Sequence, residues 1–325
     1  MAFICYRQHR FKPEARLLID HAIRIIEDYR TKGFPDMTLR QLYYQFISHD
    51  LFREDQRYSW TGMKWVHDPN GTKNAMPNYK CLVGLISEAR MGGYIDWTAI
   101  MDRTRNLVRP SVWNDPMDII NSAAKGYREN LWAEQPEYVE VWVEKDALLN
   151  VVDRACDEYR APYFSCRGYT SLSEMWQAAM RLKRKRDEGF NVFVIHLGDH
   201  DPSGKDMTRD VEDRLAELSD GIIEIHRLAL NMDQIEEFDP PPSPAKTTDS
   251  RSQAYIDEFG NDSWELDALD LVTLNDLIQG EIKLHLDMTK WVMSKEVEER
   301  HREELQKIST NFEKVRRYVN KLKNK

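Results

Sequence analysis

Three carboxylates and one phenol stand out by what surrounds them. Asp199 and Asp201 lie one residue apart in LGDHDPSG (197–204), directly after the apolar run Val192 to Leu197. Glu144 directly follows YVEVWV (138–143), a second run with strand character. Like charges this close repel, and the cost is bearable only where water or a cation neutralises them. In extended backbone, residues i and i+2 face one side, so both aspartates can meet at one point. With Glu144 they form a set of hard oxygens suited to Mg²⁺. Asp201 has a second reading, because an aspartate ahead of Pro202 also suits a helix start. The repulsion predicts that alanine at 199 or 201 leaves the fold intact or slightly firmer.

The phenol is Tyr44. Thr38-Leu39-Arg40-Gln41 has the capping-box pattern, so a helix is predicted from about 39 to 48. Arg40 precedes Tyr43 and Tyr44 by three and four residues and shares their helix face. A tyrosine titrates near ~10 and is a poor nucleophile unaided. A guanidinium one turn away stabilises its phenolate and grips a phosphate. The same pattern also describes an ordinary amphipathic helix with buried aromatics. Lys145 and Arg90 are further candidates for phosphate contact, and each also reads as a surface cation.

The elements that must hold these groups change character along the chain. Residues 13–32 carry helical periodicity, and Pro77 to Arg90 form another helix. Between them, 53–76 reads as a long polar and aromatic loop. The short extended YIDW and the charged DRTRNLVR follow. Three helices and then an extended segment suggest a winged-helix module. After residue 136, strands at 138–143, 161–166, 191–197 and 221–230 alternate with helices, which implies a mostly parallel, doubly wound sheet. FDPPPSPAKTTDSR (238–251) is a Pro-rich loop, and 290–325 reads as one long charged helix, an arm or packing helix. In such a sheet, ligands bind beyond the carboxyl ends of the strands, where Glu144, Asp199 and Asp201 stand.

Charge is divided unevenly. Residues 1–110 hold 17 Lys+Arg and 12 Asp+Glu, a net of +5, while the whole chain carries −9. Residues 294–325 hold 10 against 6, and the middle is strongly acidic. A basic front and tail with an acidic middle fit a protein that holds a polyanion with one part and a cation with another. No apolar run approaches the ~20 residues of a membrane span. No apolar leader is evident, and the four cysteines form no CxxC pair. The cytoplasm is the expected compartment.

VEKDAL followed by GDHDPSG is similar to the signature of the Toprim fold, a glutamate after one strand and a DxD after a later one. The R-x-x-Y-Y helix ahead of it makes the chain resemble the A subunit of topoisomerase VI and its meiotic double-strand-break relatives. CRGYTS (166–171) and WELDAL (264–269) are similar to further segments of that family. The compact stand-alone Mini-A proteins of mobile elements are the nearest likeness.

The resemblance implies an α/β Toprim domain over 137–285, preceded by an α-rich winged-helix domain over 1–136 and followed by a helical arm over 286–325. It implies a Mg²⁺-dependent DNA-cleaving and rejoining enzyme with Tyr44 as nucleophile, Arg40 beside it, and metal on Glu144, Asp199 and Asp201. Double-stranded DNA is the implied partner, bound by a homodimer in which one protomer's tyrosine serves its partner's metal site. No ATPase motif occurs, so strand passage would need a separate ATPase partner. The loop 53–76 and the arm depart from the family. Two other functions fit the same residues: a Toprim nuclease that uses metal-activated water, and a non-catalytic DNA-binding protein.

Overall fold

The computed structural model describes residues 3–101, 111–166, 170–221, 223–245 and 252–323. It is a mixed α/β molecule built on a four-stranded parallel sheet. The strands are β3 (Glu137–Val143), β4 (Tyr163–Ser165), β5 (Asn191–Leu197) and β6 (Glu224–Ala229), in the order β4-β3-β5-β6. The crossovers are α5 (Leu149–Tyr159), α6 (Leu172–Asp187) and α7 (Pro202–Ser219), and the short helices α8 (Met232–Phe238) and α9 (Ser252–Phe259) follow the sheet. Period-two alternation along β3 separates two cores. Tyr138 and Trp142 pack with α6 and α7, while Val139, Val141 and Val143 face α5 and α10 (Leu271–Leu284).

The second of those cores is continuous with the N-terminal helices. These are α1 (Pro13–Thr31), α2 (Leu39–Ser48) and α3 (Met76–Met91). Thr38 and Gln41 close the capping box of α2, with Thr38 N donating to Gln41 Oε1 at 2.7 Å and Gln41 N to Thr38 Oγ1 at 3.2 Å.

Three expectations need correction. YIDW (94–97) forms turns and bends after α3, not a strand; a hairpin of β1 (Tyr58–Trp60) and β2 (Trp65–His67) lies between α2 and α3 instead, inside the segment read as a loop. DRTRNLVR falls outside the described residues, as do the middle of CRGYTS and 246–251 of the Pro-rich segment. The long C-terminal helix breaks at Asn311 into α11 (Met288–Thr310) and α12 (Phe312–Lys323). The first of these is docked: Glu298 is buried, pairs with Arg160 and accepts from Glu129 N at 2.7 Å. It lies against α4 (Pro116–Gly126), a helix the sequence pattern did not reveal.

Candidate active site

β3 and β5 are neighbours, with Val143 opposite Leu197. The chain leaves β3 toward one edge of the sheet and leaves β5 toward the other, so a crevice opens at their carboxyl ends. Glu144 and Asp199 meet there, the Asp199 N–H donating to Glu144 Oε2 at 3.1 Å. Gly198 keeps the approach open, since a Cβ would lie 3.0 Å from that oxygen. Asp201 caps α7: its Oδ1 accepts from Gly204 N at 2.7 Å and Ser203 Oγ at 3.0 Å. At Gly204 a Cβ would come 2.3 Å from the Asp199 carbonyl oxygen, so the helix starts this tightly only with glycine.

A distant segment completes the site. Trp264 pairs with His200 through two backbone hydrogen bonds of 2.8 and 2.9 Å, and Leu266 N donates to Asp199 Oδ1 at 2.8 Å. This lays Glu265 and Asp267 beside the strand ends. Lys145 Nζ stands 2.7 Å from Asp199 Oδ2, 2.9 Å from Glu265 and 3.4 Å from Asp267. From α2, Arg40 pairs with Glu265 and, at 2.8 Å, with Asp267. Arg227 of β6 lies beneath, donating to the carbonyls of Asp199 at 2.6 Å and Gly204 at 3.0 Å.

Burial and charge set the protonation of this network. Burial, with the Asp199 charge, pushes Glu144 up to about 7. Burial also raises Asp199, against the pull of Lys145. Burial opposes charge on Lys145, yet Asp267, Asp199 and Glu265 hold its ammonium well above the usual lysine range. Burial works against Glu265 too, but Lys145 and Arg40 bring it down to about 2.

The three predicted metal ligands are therefore neighbours, but not a metal-holding group. Among the described residues no three His, Cys, Asp or Glu side chains converge closely enough to hold an ion. The reason is local: Lys145 already serves as the cation of Asp199, and one oxygen of Asp201 is occupied by the cap of α7. The oxygens have the chemistry for Mg²⁺, but their placement does not fit it.

Tyr44 is 3% exposed and lines a cleft of about 580 Å³ with Arg40, Tyr43 and Glu265. Arg40 Nη2 donates to its hydroxyl at 3.5 Å. Burial, with the charges of Asp267 and Glu265, raises the phenol above its usual range while Arg40 opposes the shift. Arg40 thus joins the tyrosine helix to the strand-end carboxylates within one chain. Arg90 is not brought to this network: its guanidinium stacks on Trp97, 4.7 Å from the ring centroid, and donates to the Trp97 carbonyl at 3.0 Å.

Sequence reasoning flagged WELDAL but gave no role to Glu265 or Asp267, and it missed Arg227. A charged residue inside the β6 run was the available signal for Arg227. Compared with models of protein families and with curated proteins, the chain matches none. No helix of the described residues is long and apolar enough to cross a membrane.

Proposed function

We propose that this chain cleaves DNA strands by transesterification, with Tyr44 as nucleophile, on a Toprim-type sheet of the topoisomerase VI A-subunit kind. One juxtaposition carries the reading. Tyr44 and Arg40 share a cleft wall, and Arg40 is ion-paired to carboxylates that Lys145 ties to Asp199 at the strand ends.

The Tyr44 oxygen attacks phosphorus; a phenolic O–P bond forms and the bond to the 3′-oxygen breaks. The phenol loses one proton and the departing oxygen takes one up, so the step is proton-neutral. The product is a 5′-phosphotyrosyl link, and reversal reseals the strand. Arg40 stabilises the phenolate and holds a phosphate oxygen. Its neutral substitute would leave the phenol deeper in its protonated range. As placed, Glu144, Asp199 and Asp201 do not hold Mg²⁺; binding there would require Lys145 to leave Asp199 first, and the cation would then supply charge stabilisation for the phosphate.

The basic N-terminal residues, including the helices around Tyr44, are the DNA-holding part of this reading. Cutting both strands of a duplex takes two tyrosines, which a symmetric homodimer supplies. Strand passage would call on a separate ATPase partner, and the cytoplasm is the proposed compartment.

The test is supercoiled plasmid with Mg²⁺, stopped with detergent and run on a denaturing gel with and without protease. Cleaved DNA that enters the gel normally only after protease, and is absent with Tyr44→Phe, is expected. Cleavage with no attached protein would point to a water-using nuclease. Salt-sensitive binding without cleavage would point to a non-catalytic DNA-binding protein.

A further inference from the structure

The hairpin β1–β2 has no part in the reaction above, yet it walls the cleft that holds Tyr44. Trp60 and Trp65 stand side by side on it, ring centroids 5.6 Å apart and planes at 53°. From the helices, Tyr43 packs edge-on to Tyr44 at 5.6 Å and to Tyr79 at 5.3 Å. All five rings line the same cleft. Its volume of about 580 Å³ falls in the range of ligand sites. Trp60 is 46% exposed, a large aromatic surface left to water beside a buried tyrosine.

The hairpin is braced. Tyr58 and Thr72 exchange backbone hydrogen bonds of 2.9 Å, Ser59 donates to Asp68 at 2.6 Å, and His67 bonds the Asp55 carbonyl at 2.8 Å. At Gly71 a Cβ would lie 2.3 Å from the Tyr58 carbonyl oxygen, so the chain returns this closely only through glycine. A platform fixed in advance costs little ordering on binding.

Resting on the reading that Tyr44 attacks a phosphodiester, we propose that this aromatic cleft receives one unstacked nucleobase of the DNA strand being cut. Three observations converge on that occupant. Tyr44 lies in the cleft wall almost without exposure, so the phosphorus must be brought into a space with room for a nucleotide unit and none for a duplex. The flanking residues are aromatic, and any base can stack on an aromatic ring. The amide of Asn74 in the same wall is committed: Tyr43 donates to its oxygen at 3.1 Å, and its nitrogen donates to the Pro242 carbonyl at 2.8 Å and Ser243 Oγ at 3.1 Å. Asn74 is therefore not available to read the edge of a base, and the ring surface selects for an unpaired position.

The experiment compares two duplexes of one sequence, one fully paired and one with a single unpaired 2-aminopurine, in equilibrium binding to the full-length chain. A preference for the unpaired duplex of roughly tenfold or more is expected, since base–aromatic stacking is of that size. The fluorescence of the 2-aminopurine is expected to fall on binding. Trp60→Ala with Trp65→Ala should abolish both effects, and Trp60→Phe with Trp65→Phe should restore most of the preference. Equal affinity for the two duplexes, or a preference that survives the double alanine variant, overturns the proposal. The same measurement on Tyr44→Phe separates the two readings. If wild type forms no covalent adduct but Tyr44→Phe keeps the preference, the chemistry falls and the base site stands.

Discussion

Glu140 and Glu144 lie on one strand run, four residues apart, and are held in opposite ways. Glu140 is buried in the middle of β3 and receives every bond it can use: two from Arg181 at 2.7 and 2.8 Å, and one each from Tyr138 and Trp142 at 3.0 Å. Glu144, at the end of the strand, accepts the Asp199 N–H and faces the negative charges of Asp199 and Asp201, which Lys145 offsets only in part. The first carboxylate is solvated by protein; the second is left with a deficit. Buried charge that is fully paired holds a structure in register, whereas strained charge at a crevice marks a place where a ligand or a proton is to be handled.

Removing the cation breaks the strained side most severely. Lys145→Met leaves Asp199 and Asp267 buried with only part of their compensation, and we expect a loss of about 3 kcal/mol in urea unfolding. Millimolar Mg²⁺ should recover part of that loss and leave wild-type melting nearly unchanged, because in the wild type Lys145 stands beside Asp199. A variant as stable as wild type in metal-free buffer would mean that the ammonium is not the counter-charge of this network.

The paired glutamate gives the next effect. Glu140→Ala strands Trp142 Nε1 in the core, while the half-exposed Arg181 returns to water; the expected cost is about 2 kcal/mol. Glu144→Gln should be neutral or slightly stabilising, since it removes a repelled charge, and should suppress DNA cleavage. Calorimetry and the plasmid assay on both variants check the contrast. Equal destabilisation by the two would erase the distinction between them.

The sequence made one half of this comparison legible. Strands that end in acids, the capping box at Thr38, and the alternation that buries Trp142 on one face all follow local periods. Lys145 as the counter-ion of Asp199 does not, because its other partners, Glu265 and Asp267, come from 120 or more residues away and are delivered by the His200–Trp264 backbone pair. The hairpin escaped for a different reason. Its strands have three residues each, too few for period two to show, although Thr61-Gly62-Met63-Lys64 between two tryptophans is a turn signal. Helices α4 and α10 lie outside the motifs. Arg90 looked like a free cation because nothing local says that Trp97 will cover it.

A smaller effect comes from His196, which lies beside Trp142 in the β3–β5 ladder and is satisfied without a counter-charge. Its Nδ1 is 3.0 Å from Thr208 Oγ1, and burial, with Arg227 nearby, brings it down to about 3. The unfolded chain therefore takes up this proton at higher pH than the folded one. The histidine's contribution is complete above the ordinary ~6.5 and declines as pH falls toward 3, by at most about 1.4 kcal/mol per pH unit. The raised carboxylates Glu144 and Asp267 act in the opposite sense over the acid range, so wild type reports the sum. Urea midpoints of wild type and His196→Gln at about pH 7.5 and about pH 5 isolate the difference. The variant should lose less stability on acidification, and parallel losses would show that His196 titrates normally.

The smallest effect separates the two roles of Asp201. Repulsion alone predicts that Asp201→Ala costs the fold nothing, but the side chain caps α7 through Gly204 N and Ser203 Oγ. Alanine removes that acceptor, so the fold should lose about 1 kcal/mol despite the relieved repulsion. Asparagine keeps an oxygen where the cap needs one and deletes only the charge. Asp201→Asn should therefore melt with wild type, or slightly above it because Glu144 loses a repelling neighbour. The plasmid assay then reads the charge alone. If cleavage falls with Asp201→Asn while melting is unchanged, the carboxylate acts in the reaction as well as at the helix start. If Asp201→Asn cuts as well as wild type and Asp201→Ala is impaired only in proportion to its lost stability, Asp201 is a cap, and the reactive carboxylates reduce to Glu144 and Asp199.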